Sequence, residues 1–163
     1  MRPTIREVSD LREWDDALLC LPNSHILQTW EWGAFKERQG WRAFHYLWEA
    51  GEGPRAAALA LLRRPARLPL GVMYVPKGPT LPWDDVSLLR SVLADLEAAA
   101  RRARAVFLKI DPDVEEDTPE GRTVTATLRA RGWRPSAEQV QFRNTLLLDL
   151  TLPPDDLLAR MKP

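Results

Sequence analysis

Residues 70–114 read "LGVMYVPKGPTLPWDDVSLLRSVLADLEAAARRARAVFLKIDPDV". Two short apolar runs, "GVMYV" and "VFLKI", flank a long amphipathic stretch. Asp84 or Asp85 supplies a helix N-cap, and arginines crowd the last turn, where the helix dipole favours cations. The second run stops at Asp111-Pro112, because the residue before a proline leaves helical space and the proline cannot donate to a ladder. The pattern predicts strand, helix and buried strand. A helical crossover of that length joins two parallel neighbours in one sheet.

The flanking sequence extends this frame. "TIREV" predicts a short strand, and Ser9 or Asp10 caps a helix whose Leu11, Trp14, Leu18 and Leu21 recur at helical spacing. Residues 28–39 predict a second helix closed by Gly40. "WRAFHYLWEAG" and "PRAAALALLRR" predict two strands joined through "GEGP". "RRPARLP" reads as an exposed loop. After the central unit comes a helix near 119–131 ended by Gly132, then a strand over "VQFRNTLLLDL" and a short helix at "PPDDLLARM" with Pro154 in its first turn. The expected class is α/β, a mixed central sheet with flanking helices in the order β-α-α-β-β-β-α-β-α-β.

A chain of 163 residues is one domain with room for a real core. Lysine plus arginine equals aspartate plus glutamate at 23 each, which excludes a nucleic-acid footprint spread over the whole surface. The single cysteine, Cys20 in "ALLCL", reads as a buried inert thiol, and no internal disulfide can form. One Cys and two His cannot build a zinc site. His25 and His45 stand near no nucleophile motif and read as structural. The N-terminus has no apolar signal core, so the expected location is the cytosol or the inner face of the membrane.

"QTWEWGAFKERQGW" (Gln28–Trp41) raises a separate question, because its helix has no clean apolar stripe. Trp30 and Ala34 share one side, and Trp32 and Phe35 lie roughly opposite. Lys36 follows Trp32 by four and Gly33 by three, so the three are neighbours. Either the helix is packed on both faces with Lys36 running past Trp32, or Gly33 leaves room for a ligand and Lys36 charges its phosphates. Strand alternation puts Phe107, Lys109 and Asp111 on one face. Asp111 is either a turn residue paired with Lys109 or a carboxylate placed to accept a proton. Lys77 is either a solvated turn residue or a charge at the rim of a cleft.

The element order resembles the GNAT fold, in which β4 and β5 run parallel and splay at their C-terminal ends to form the binding cleft. That fold cradles coenzyme A pyrophosphate on a Gly-rich turn opening the long helix. Here the turn reads "VPKGPTLPWDD", with one glycine, three prolines and two aspartates that repel a pyrophosphate.

"LQTWEWGAFKERQGW", "YVPKGP", "LKIDPDV" and "QVQFRNTLLLDL…LLARMKP", in that order, resemble the N-terminal half of the Fem-type aminoacyl transferases, the FemAB and FemX kind. The resemblance implies a GNAT-like domain over 1–152. It implies that 153–163 begin a connecting helix to a second domain absent from this chain, which leaves the isolated chain inactive. It implies transfer of an amino acid from aminoacyl-tRNA to the stem-peptide amine of a nucleotide- or lipid-linked peptidoglycan precursor, without metal or organic cofactor. By resemblance Lys36, in the W-x-x-x-K position, contacts the precursor diphosphate with Trp32 and Gly33 beside it. Tyr74 and Lys77 belong to the "YVPKGP" signature on the binding side. Asp111 is the candidate catalytic base, and Val106 replaces an aromatic residue of the family. Trp30 and Trp41 are assigned to core packing. "RRARA" has a tRNA-contacting reading beside the ordinary one of a helix C-terminus. Leu157, Leu158 and Met161 are expected to form an unfinished apolar face through which the chain self-associates. Two other classes remain open: a GNAT acyltransferase with an unusual acyl donor, and a non-catalytic precursor-binding module.

Overall fold

The computed structural model describes residues 3–161 except 52, 67, 143, 146 and 147. The elements are β1 (Thr4–Glu7), α1 (Leu11–Leu19), a 3-10 turn (Ile26–Gln28), α2 (Trp30–Arg38), β2 (Trp41–Ala50), β3 (Gly53–Arg63), β4 (Gly71–Val75), α3 (Val86–Arg102), β5 (Ala105–Ile110), α4 (Pro119–Ala130) and α5 (Pro154–Arg160). The strands form one five-stranded sheet in sequence order, antiparallel throughout except for the parallel pair β4–β5 that α3 connects.

Alternation in β3 sorts the core into two layers. Ala56, Ala58, Ala60 and Leu62 face α3, whose Leu89, Val92, Leu93 and Leu96 pack on them together with Trp48, Met73 and Val75. Ala57, Leu59 and Leu61 face α1, meeting Trp14, Ala17, Leu18 and Leu21, with Trp30, Trp32 and Trp41 at the margin. Asp85 caps α3 by accepting from the Leu88 N–H at 2.9 Å, so a carboxylate already holds that helix start.

The β3–β4 pairing is short. Only Leu61–Arg63 and Val72–Tyr74 pair, and the strands then separate before an isolated bridge between Ala57 and Thr80. The carboxamide of Gln28 fills the gap. Its Oε1 accepts from the Leu59 N–H at 2.7 Å and its Nε2 donates to the Pro76 carbonyl at 2.5 Å.

Three expectations differ from the structure. Cys20 is exposed, because it lies two residues past Leu18, about 200° round the helix from the buried face. No described residue of 140–150 lies in a strand; Val140, Phe142, Leu148 and Leu150 are exposed, with no sheet face against which to bury their alternation. Residues 143, 146 and 147 of that stretch lie outside the described ones. β5 is an edge strand among the described residues, so Val106 and Phe107 stand in solvent rather than in the core.

Candidate active site

The C-terminal ends of β4 and β5 do not splay. Val75 still pairs with Ile110, and the Asp111 N–H donates to the Val75 carbonyl at 3.2 Å. Met73, Val75, Leu108 and Ile110 point into the α3 layer, so Tyr74 and its partner Lys109 occupy the opposite face. There the Tyr74 hydroxyl donates to Asp111 Oδ2. Tyr74 is buried, and burial, then the Asp111 hydrogen bond and charge, push its hydroxyl pKa well above the ordinary value, against a smaller opposing effect of Gln141. The phenol therefore stays a proton donor that fixes one carboxylate oxygen. Lys109 does not pair with Asp111: its ammonium donates to the Glu138 carbonyl and, at 3.2 Å, to Ser136.

Just past β4, Lys77 has left-handed backbone (φ +45°). That conformation costs a residue with a Cβ roughly 1–2 kcal/mol. Its side chain is only 13 % exposed, and its Nζ meets Asp113 Oδ1 at 3.0 Å, tying the ends of the two strands together. His25 stands by this pair. Burial holds its pKa below the ordinary value, while Asp113 raises and Lys77 lowers it. Its Nδ1 accepts from the Leu27 N–H at 3.0 Å, so the neutral ring carries its proton on Nε2. Neither His25 nor Asp113 stood out in the sequence, because only the fold brings them to Lys77.

The α2 residues sit on the same face of the sheet, over β2 and β3. Lys36 Nζ lies 4.9 Å from the Trp32 ring centroid, a cation–π contact. Gly33 is buried, and a Cβ there would lie 3.0 Å from His45 Nε2 and 3.3 Å from Leu59 Cδ1. The room that this glycine leaves is thus on the sheet side and already filled. Trp30 stacks on His45 at 4.1 Å, as its core assignment required. Gln28, which the sequence reading passed over, ties the start of α2 to the turn that carries Lys77.

The FemAB family model matches residues 18–133, most of the chain and every element just described except β1, all but the last two residues of α1, and α5. The chain belongs to the FemAB family. It is 26% identical over 154 residues to a lipid II:glycine glycyltransferase of Staphylococcus aureus, covering 90% of this chain and 36% of that protein. Among solved structures, FemX aligns with a TM-score of 0.69 at 26% identity over 79% of this chain and 31% of that one. The chain therefore spans about a third of the length of these FemAB relatives. An acetyltransferase from Trypanosoma brucei aligns over 87% of this chain and 99% of its own at a TM-score of 0.53 and 14% identity, which shows the GNAT-like fold alone.

Proposed function

We propose that this chain binds a peptidoglycan precursor for the transfer of an amino acid from aminoacyl-tRNA to the precursor's stem-peptide amine. The observation that carries the reading is the Tyr74–Asp111 pair at the joined ends of β4 and β5, in a chain of the FemAB family. Tyr74 holds Asp111 Oδ2, and the other carboxylate oxygen faces the incoming amine, which has given up its ammonium proton to solvent. As the amine attacks the ester carbonyl, Asp111 accepts its proton; the departing ribose oxygen needs one proton, and the same carboxylate can return it. Positioning of amine and ester supplies the larger share of the rate. Lys36, backed by the Trp32 ring, takes the precursor diphosphate. Lys77, fixed by Asp113, lines the amine end.

Two measurements test this. Lys36→Ala is expected to weaken binding of a nucleotide-linked precursor, seen by titration calorimetry, by about 1–3 kcal/mol for one charge-assisted contact. Asp111→Asn is expected to spare that binding and slow single-turnover transfer by the whole protein by roughly 10²-fold or more. Unchanged affinity in the first variant removes the phosphate role. Near-normal transfer in the second reduces Asp111 to a structural partner of Tyr74.

A further inference from the structure

The formal net charge is zero, but six arginines gather at one end of the sheet. Register pairs Trp41 with Arg63, Arg63 with Val72, and Gly71 with Ala105. The start of β2, the finish of β3 and the starts of β4 and β5 thus form one end of the sheet. α3 finishes there as well: the Arg64 guanidinium donates to the Ala103 carbonyl at 2.7 Å, and the Gly71 N–H to the Arg104 carbonyl at 3.1 Å. Arg42, Arg63, Arg64, Arg101, Arg102 and Arg104 surround this end, and all are exposed. The opposite end, past β5, carries Asp113, Glu115 and Asp117, with Asp113 paired to Lys77. Among the arginines stand exposed apolar side chains: Leu68 (57%) and Leu70 (45%) in the β3–β4 loop, and Phe107 (53%) on β5.

A polyanion such as RNA draws on cations and stacking rings, and gains nothing from aliphatic loop tips. A bilayer surface uses both features, guanidinium groups at lipid phosphates and apolar tips in the acyl boundary. We infer that the arginine-ringed end, with Leu68 and Leu70 at its tip, docks on an anionic lipid bilayer. This surface is separate from the Tyr74–Asp111 site, because the five residues of β4 set the two ends about 17 Å apart. Docking there leaves that site facing away from the lipid, and the surface stands whether or not the proposed transfer holds.

Co-sedimentation of the 163-residue chain with vesicles of phosphatidylcholine plus phosphatidylglycerol, and of phosphatidylcholine alone, reads the interaction. Binding to the anionic vesicles alone, weakening with salt, is expected. Reversing two charges, Arg101→Glu with Arg102→Glu, should cut it by at least about thirtyfold, given the attraction of each basic residue to an anionic surface. Leu68→Ser with Leu70→Ser changes no charge and should still cut it about tenfold. Both pairs alter exposed side chains, and circular dichroism checks that the fold is retained. A dye on Leu68→Cys in a Cys20→Ser background should shift to the blue on anionic vesicles. Absence of binding to anionic vesicles overturns the inference. So does vesicle binding indifferent to the leucine pair, and so does an arginine-pair effect confined to bulk tRNA binding.

Discussion

Gln28 joins two strands that do not otherwise meet at its level. Its amide gives the Leu59 N–H an acceptor and the Pro76 carbonyl a donor, and it is fully buried. Gln28→Ala leaves two buried backbone groups unpaired at about 1–3 kcal/mol each. A loss of about 2–5 kcal/mol in urea unfolding is therefore expected; a loss below about 1 kcal/mol would mean that water takes the place of the amide. His45 makes the second residue-scale case. Its ring is stacked on Trp30 at 4.1 Å and meets Trp14 edge-on at 4.8 Å. Burial pushes its pKa down from 6.5 to about 4. Between those values the unfolded chain binds a proton that the folded one refuses, so stability falls as pH drops from about 6.5 and levels off near 4. The total is on the order of 3 kcal/mol. Urea midpoints across that window should slope less steeply for His45→Phe than for the parent.

At the scale of elements, α4 depends on a missing side chain. Thr118 caps the helix by accepting from the Gly121 N–H at 3.0 Å, which draws the preceding loop close. A Cβ on Gly121 would sit 1.9 Å from the Glu115 carbonyl oxygen, a backbone atom that cannot step aside. Gly121→Ala gains about 1 kcal/mol in helix propensity and loses more through the clash. A net destabilisation of about 2 kcal/mol or more is expected, read as a lower thermal midpoint. The elements whose signals are local were legible from sequence. Asp85 announces α3, Asp111-Pro112 ends β5, and the crossover between them dictates the parallel pair. α2 was legible as a helix, but not the reason it lacks a stripe: its closest approach to the sheet is at Gly33, which carries no apolar side chain to count, with Trp30 stacked on His45 beside it. The candidate site was legible at Tyr74, Lys77 and Asp111, which sit at strand ends. It was not legible at Gln28, His25 or Asp113, whose partners lie tens of residues away and are met only through space. The strand expected over 140–150 shows the converse, since alternation marks a face and cannot supply the surface that covers it.

At the scale of the whole molecule, α5 stands apart from the other helices, since among the described residues it alone buries none. Leu158 and Met161 are exposed. We expect self-association through this face at high concentration, detected by sedimentation, and its loss in Leu158→Ser with Met161→Ser. A strictly monomeric parent would count against it. The pairing of the sheet sets a larger property. β2 and β3 share ten paired positions, whereas β3 and β4 share three before Gln28 takes over. The sheet is thus two panels, β1–β3 and β4–β5, sewn along a short seam with one side chain as its clasp. Cooperative opening follows the weakest line of bonding rather than the boundary of a core. Local unfolding should therefore release α3 and the β4–β5 panel together, while the longer panel stays shut.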